Sequence, residues 1–489
     1  MTQNAQKHIV IVGGGITGLA AARTVALRAP GATVTVLEAA DRLGGKIATV
    51  HENGFVVEGG PESWLAAKSW MTDLCADLGL ANEVQGTRPE NRGSRVLWDG
   101  QLHRIPDGLS GLVPTRLGPI LTSSLLTPTG KARIALDWVL RPRTDANDES
   151  LEHFISRRLG RQAYERLIEP LMAGIYAGDG GQLSTMSTFP QLRAAEREYG
   201  GIIRGVLASR KRALAGGSAP KTGFLAPKDG MGAVIDALTT DLLGHEVALR
   251  TGVTVTRLSR TQAETPDRYV VSTARGEDIL ADGLVLTTPA PVTADLLSDD
   301  GEGLAPMAGA NLRHVPMVNS VTLSLAFRRR DVEHPLRGYG YVVPRAQHRP
   351  ILASTWTSSK WAHRVPDDMV LLRFYVGRAG GRDGIALSDD EIQELALAEL
   401  REVLKVDAIP TRRWVFRWPG GSPQYIVGHA DRVAEIERRV ATIPGVALAG
   451  CSYHGVGIPD CVRSGERAAE RVVTQVAPTT LGPVSHVAD

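Results

Sequence analysis

The stretch His8-Ile9-Val10-Ile11-Val12-Gly13-Gly14-Gly15-Ile16-Thr17-Gly18 decides the fold. Its first five residues are a short apolar, β-branched run of the kind that forms a buried strand. A glycine turn follows, then Leu19 to Leu27 with helical composition, then Thr33 to Leu37 as a second strand ending at Glu38. Strand, turn, helix and strand make a βαβ unit. In the G-x-G-x-x-G pattern Gly13 permits the tight strand-to-helix turn, Gly15 lets the backbone approach a pyrophosphate, and Gly18 allows close helix packing. The helix amino terminus, with Ile16 and Thr17 in its first turn, then faces two negative charges. Glu38 lies twenty residues after Gly18. A carboxylate there accepts hydrogen bonds from ribose hydroxyls and disfavours a 2′-phosphate. The glycine pattern alone is weak, but with a strand before it, a helix after it and the carboxylate at that distance it reads as a dinucleotide site.

Working outward, 489 residues exceed what one hydrophobic core supports, so two or three structural units are expected. A composition 43% hydrophobic and 22% charged, with 53 glycines, fits a turn-rich α/β enzyme rather than a coiled coil or disordered tail. The 55 basic and 53 acidic side chains leave a formal charge of +2, which gives no global basic field for nucleic acid. Three cysteines, Cys75, Cys451 and Cys461, without a CxxC, argue for a reducing compartment and against a zinc or iron–sulfur site, so no metal is expected. They read as small buried hydrophobes. No signal segment precedes the first strand and no apolar run reaches the ~18 residues of a membrane span, so a cytoplasmic protein is expected.

Further along, Pro106 to Leu140 mixes Gly, Pro and Leu with scattered Arg before a helical segment at Lys131 to Leu140, a stretch suited to shielding a cleft or touching a membrane surface. Ser150 to Leu171 looks helical, and Gly200 to Thr222 reads as a basic, glycine-rich surface connection. A second α/β portion begins near Lys228, with a helix over Gly232 to Leu243 and strands at Val253 to Leu258, Tyr269 to Thr273 and Gly283 to Leu286. Strands dominate from about Asn311 to Trp418, with one helix over Asp389 to Val403, and no dinucleotide motif recurs there. That region looks like a sheet-based substrate unit inserted between cofactor-binding pieces. The chain closes with a strand at Val446 to Gly450, a glycine-rich loop and a helix from about Asp460 to Val476.

Ala39-Ala40-Asp41-Arg42-Leu43-Gly44-Gly45-Lys46 resembles the second fingerprint of the flavin amine oxidase superfamily and separates FAD from NAD. Arg42 and Lys46 would neutralise phosphate, while Gly44 and Gly45 would let the backbone approach the cofactor. Gly59-Gly60-Pro61-Glu62-Ser63 resembles that superfamily's loop beside the flavin ring and ribityl chain. In Gly450 to Asp460, Gly455 and Gly457 allow backbone approach, and Ile458, Pro459 and Asp460 open a helix whose positive end suits an anionic reduced flavin. His454 in this loop is a candidate proton acceptor or a structural histidine; no catalytic side chain is assigned.

Taken together the chain resembles a porphyrinogen oxidase of the haem pathway from His8 to about Val476. The resemblance rests on Leu43 to Lys46, Gly60 to Trp64, Glu169-Pro170-Leu171-Met172-Ala173-Gly174-Ile175-Tyr176-Ala177-Gly178-Asp179, Thr355-Trp356-Thr357, Trp361, Pro423-Gln424-Tyr425, Gly428-His429 and Gly455 to Cys461. Thr355-Trp356-Thr357 with the Lys360-Trp361 pair, and Lys68, are most similar to the Gram-positive type that acts on coproporphyrinogen III. The resemblance implies noncovalent FAD, molecular oxygen as acceptor and hydrogen peroxide as product. It implies an α/β fold in three parts: a Rossmann-like FAD-binding domain (1–70, 224–300, 436–478), a sheet-based substrate-binding domain (71–103, 191–223, 301–435) and a small helical domain (104–190). It also implies that Arg95, and with it Lys68, meets a substrate propionate, that Gly174, Tyr176 and Tyr375 line the macrocycle pocket, and that Trp414 and Val255 contact the cofactor. Ala48 departs from the pattern, standing where animal relatives carry arginine. A protoporphyrinogen IX oxidase, an amine oxidase and a non-catalytic protein that kept the fold stay open as alternatives. So do a hand-over of product to a ferrochelatase and a weak peripheral contact with a membrane.

Overall fold

The computed structural model describes residues 6–107, 109–110, 113–114, 117–215, 223–261, 268–298 and 303–477. The first strand, His8–Val12, sits at the centre of a five-stranded parallel sheet ordered Ala248–Arg250, Thr33–Leu37, His8–Val12, Gly283–Leu286, Val446–Leu448. Alternate side chains of a strand point to opposite faces. Accordingly Ile9 and Ile11 enter one core with the helices Ile16–Arg28, Gly232–Gly244 and Ile458–Val476, while Val10 and Val12 enter another. That second core is closed by the antiparallel sheet Val255–Arg260, Tyr269–Thr273, Asp278–Ala281 and by the helices Ala290–Ser298, Pro306–Arg313 and His429–Val440. Burial on both faces explains why Ile9 to Val12 of the first strand is an unbroken apolar run.

A seven-stranded mixed sheet forms the second body, ordered Arg412–Pro423, Met317–Arg328, Met369–Val376, Ile351–Trp356, Gly340–Val342, Arg95–Trp98, Gln101–Arg104. Its pairs are antiparallel except Gly340–Val342 with Arg95–Trp98. The helix Asp389–Glu399, opened by a full capping box at Ser388, packs its Ile392 and Ala396 into this sheet's core. A third core gathers the helical segments between Leu151 and Tyr176 around Phe154, Ile155, Leu167 and Ile168. There the expected single helix is broken: Gly160, at φ +93°, ends Leu151–Leu159, and a π turn over Tyr164–Ile168 precedes Glu169–Tyr176. An ion-pair cluster stitches this part together, with Arg158 and Asp137 both fully buried and 2.6 Å apart.

The expected surface connection at 200–222 is overturned where the structure describes it. Ile202–Ala215 is a helix, and Gly205 marks its close approach to Ala195 of the neighbouring helix Pro190–Tyr199. Gly200, at φ +76°, is the left-handed cap that ends that neighbour. The glycines therefore cap and pack helices, while residues 216–222 lie outside the described residues. In the stretch expected to shield a cleft, residues 108, 111–112 and 115–116 lie outside them too. No helix among the described residues is long and apolar enough to cross a membrane.

Candidate functional site

In an open α/β sheet, ligands bind beyond the carboxyl ends of the strands. Here Gly13, Glu38, Thr287 and Gly450 mark that edge. Gly13 turns at φ +108° beneath Thr287, whose hydroxyl donates to the carbonyls of Val12 and Gly13 at 2.9 and 3.0 Å. A Cβ on Gly18 would run into the Gly13 carbonyl oxygen, so the helix could not sit so close with any larger residue. Gly15 is the extended N-cap of the first helix and supplies no side-chain cap, leaving the amides of the first turn, with Ile16 and Thr17, directed outward.

The second fingerprint meets the first through its backbone and through the Leu43 side chain, which packs against Gly14. The amide of Gly44 donates to the Gly14 carbonyl at 2.8 Å, and a Cβ on Gly45 would lie 3.2 Å from the Gly15 Cα. Glu38 accepts from the amides of Gly14 at 2.6 Å and Ala40 at 2.8 Å, so its carboxylate is fixed at the rim beside exposed Ala39. Arg42 donates to the carbonyls of Leu43, Gly45 and Ile47, which makes it the organiser of this loop. Val253 donates to the Glu38 carbonyl at 2.9 Å, and buried Val255 follows it into the second core.

The last helix, Ile458–Val476, delivers a second uncapped amino terminus to the same edge, with Gly457 as its extended N-cap and Pro459 in its first turn. Gly465 lies against the Thr17 carbonyl, where no Cβ would fit, so the two helices cross near their positive ends. Tyr425 secures the loop before it, donating to the Cys451 carbonyl at 2.5 Å and accepting from the Gly455 amide at 2.9 Å. Its ring stacks on buried His429, centroids 4.0 Å apart. His454, the candidate proton acceptor, is exposed and bonds Glu437 at 2.6 Å.

Gly59 and Gly60 are held from the seven-stranded sheet. The Gly59 carbonyl accepts from Thr322 Oγ1 at 2.7 Å, Trp418 Nε1 at 2.9 Å and Arg373 at 3.1 Å, and Arg373 also reaches the Gly60 carbonyl at 2.5 Å. Beyond Pro61, and before half-buried Ser63, Glu62 is buried and pairs with Lys360, with Arg373 3.9 Å away. Burial pushes the Glu62 pKa up, but Lys360 and Arg373 outweigh it and hold the carboxyl below its usual range. The Trp414 indole donates to Glu52 at 2.7 Å and packs on Phe55. Trp418, Thr322 and Arg373 are thus site residues that sequence reading missed, since no local motif marks them, while Lys360 enters that reading only through its resemblance and not as a partner of Glu62; all four lie about 260 or more positions from the loop they hold.

The substrate candidates divide. Arg95, on an inner strand of the seven-stranded sheet near one edge, donates to the Arg337 carbonyl and lies over the Trp356 ring, 5.2 Å from its centroid. Among the described residues it has no carboxylate partner, and burial together with Arg104 lowers its pKa from the usual arginine value. An added anion there would be favoured. Lys68 instead pairs with Asp460 at 2.5 Å. Gly174 is exposed on its helix, and a Cβ there would be 3.9 Å from Val342. Tyr176 is buried two residues on, and burial and Asp460 raise its pKa. Tyr375 shares a 3.3 Å hydroxyl contact with Thr355, has Arg373 over its ring, and is raised chiefly by burial.

Lys46 lies with its ammonium 3.7 Å from the Cys451 sulfur. Two glycine turns closely apposed to one another, two uncapped helix ends and a carboxylate at the rim fit a dinucleotide with a pyrophosphate at its middle. The chain belongs to the family of flavin-containing amine oxidoreductases, whose profile matches residues 16–473. It is an oxidoreductase with FAD as cofactor. Among its relatives, coproporphyrinogen III oxidase of Bacillus subtilis (strain 168) is 35% identical over 478 residues, which cover 96% of this chain and 99% of that protein. Chloroplastic protoporphyrinogen oxidase of Nicotiana tabacum is 30% identical over 96% of this chain and 86% of its own length. A crystal structure from Exiguobacterium sp. 255-15, assigned to a protoporphyrinogen oxidase, superposes with a TM-score of 0.83 at 35% identity, covering 95% of this chain and 98% of that one.

Proposed function

We propose that the chain oxidises coproporphyrinogen III to coproporphyrin III, passing the electrons to molecular oxygen and releasing hydrogen peroxide. The observation that carries this reading is the 35% identity to a coproporphyrinogen III oxidase across nearly the full length of both chains. Bound FAD supplies a two-electron acceptor, and a porphyrinogen becomes a porphyrin through three successive two-electron oxidations.

The protein's own part is binding and orientation. Gly13, Gly15, Gly18, Glu38, Gly45, Lys46, Gly457 and Pro459 would hold the cofactor, with Arg42 and Tyr425 shaping the two loops. Arg373, Trp418 and Thr322 fix the Gly59 to Ser63 loop against the seven-stranded sheet. Arg95 would fork a propionate, since a guanidinium suits a carboxylate and this one is partly desolvated. Tyr176, Gly174 and Tyr375 would bound the macrocycle. The division into FAD-binding, substrate-binding and helical domains belongs to the same proposal, as does any hand-over to a ferrochelatase or peripheral contact with a membrane.

A second reading, oxidation of protoporphyrinogen IX, is favoured by the likenesses to the Nicotiana and Exiguobacterium proteins. Steady-state turnover of both porphyrinogens decides between them. Coproporphyrinogen III, with four propionates against two, should be used with the higher kcat/KM; preference for protoporphyrinogen IX would replace the first reading with the second.

A further inference from the structure

The last helix carries a second feature that the flavin loops do not use. Arg463, Arg467 and Arg471 recur every four residues along Ile458–Val476, so they share one face and rise about 6 Å from one to the next. All three line a cavity of about 310 Å³ formed by this helix, the helix His429–Val440 and the edge strand Val446–Leu448 of the parallel sheet. That is the scale of a small-molecule site. Val440, Leu448 and Ala468 supply apolar lining, and Trp70 adds an aromatic ring. The two carboxylates of the lining are already engaged: Asp460 pairs with Lys68 at 2.5 Å, and Glu437 bonds His454 at 2.6 Å. Arg463 shares Glu466 at 3.2 Å. Its one hydroxyl, that of Ser464, accepts from the Gly450 amide at 3.0 Å. Arg467 and Arg471, by contrast, have no carboxylate partner among the described residues. Like charges four residues apart on a helix repel one another, and an anion between them turns that cost into attraction.

We propose that this cavity binds a small organic dianion, with Arg467 and Arg471 each meeting one of its two acidic groups and its apolar body resting against Trp70, Val440 and Leu448. A guanidinium offers its donors in a planar fork that matches a carboxylate or a phosphate, so two of them about 6 Å apart select two acidic groups on one molecule. The apolar lining and the indole select a flat ring-bearing body over a bare mineral ion. The same chemistry has two sources, an aromatic dicarboxylate or a nucleotide with its phosphates. Neither arginine belongs to the residues that shape the flavin loops, so the inference is independent of how the cofactor is held and of which porphyrinogen the enzyme uses.

The test uses the full FAD-loaded chain, so that the dinucleotide site is filled, and titrates it by calorimetry with isophthalate, a benzene ring carrying two carboxylates, and separately with adenosine triphosphate. At least one of the two should bind at a single site per chain, and the tighter probe assigns the source: carboxylate for isophthalate, phosphate for the nucleotide. Arg467→Gln and Arg471→Gln should each weaken the tighter probe about tenfold or more, and the double variant should abolish its binding while flavin content stays unchanged. Arg467→Lys keeps the charge and loses the fork, so its affinity should fall between those of the wild type and Arg467→Gln. Failure of both probes to bind, or a double variant that binds the tighter probe as well as the wild type does, would overturn the proposal. Turnover of porphyrinogen enters none of these readouts.

Discussion

Glu38 is the residue on which the dinucleotide reading can be pressed hardest, because its geometry says how much of it is free. An ionised carboxylate offers about four acceptor positions. Two are engaged by the Gly14 and Ala40 amides at 2.6 and 2.8 Å, which leaves about two for the adenosine ribose. Glu38→Ala removes the ribose contacts and also leaves two backbone donors without their partner. Hydrogen bonds to a charged group contribute roughly 1.5–3 kcal/mol, so FAD affinity should fall about 10- to 150-fold. Glu38→Gln keeps the shape and one acceptor oxygen but turns the other position into a donor, so its loss should be smaller than that of the alanine variant. Titration of the FAD-free variants with FAD, followed by calorimetry, gives the affinities, and denaturant unfolding without FAD separates a binding loss from a damaged turn. Wild-type affinity in a folded Glu38→Ala protein would refute the ribose assignment.

Other perturbations bear on different parts of the account. Gly18→Ala drives a methyl into the Gly13 carbonyl, so it should cost about 1–3 kcal/mol in denaturant unfolding and weaken FAD; unchanged stability would mean the first helix has room to move away from the glycine turn. Arg95→Ala should lower kcat/KM for coproporphyrinogen III by roughly 2–3 kcal/mol with flavin content unchanged, whereas Lys68→Ala should cost under about 1 kcal/mol because Lys68 is half-exposed and paired to Asp460. Equal effects would contradict the placement of these two cations. His429, 1% exposed, is kept neutral by burial, its pKa lowered from 6.5 to about 4. Between those values the unfolded chain binds more protons than the folded one, so His429 contributes stability that is complete above about 6.5 and is lost as pH falls toward about 4, up to about 3 kcal/mol in all. Urea unfolding across that range should show a shallower pH slope in His429→Gln, and an unchanged slope would assign the acid sensitivity to other groups.

The first βαβ unit was legible because local patterning and tertiary demand agree there: a doubly buried strand must be apolar throughout, and the turn tolerates only glycine where backbones touch. The closing helix was legible for the same reason, as Gly457, Pro459 and the apolar face starting at Ile458 each satisfy a local rule. Gly200 and Gly205 misled because a glycine that caps a helix, or lets two helices touch, has the same local composition as one in a loop. The supports of the flavin loop were hidden for a different reason. Arg373 and Trp418 look like ordinary strand residues, and Lys360 like the end of a short helical turn, until the seven-stranded sheet brings them to Gly59 and Glu62, and no spacing encodes that. Cys451 read as a small hydrophobe because the feature that separates it from Cys75 is the ammonium of Lys46, 405 positions away along the chain.

The central claim, a flavin enzyme shaped for a tetracarboxylate porphyrinogen, is tested most directly by anaerobic reduction of the FAD-loaded protein with coproporphyrinogen III and with protoporphyrinogen IX in parallel. The flavin absorbance should bleach with both, faster and at lower concentration with coproporphyrinogen III, and readmitted oxygen should restore it with porphyrin and hydrogen peroxide accumulating. A flavin that stays oxidised in the presence of either porphyrinogen would contradict the account.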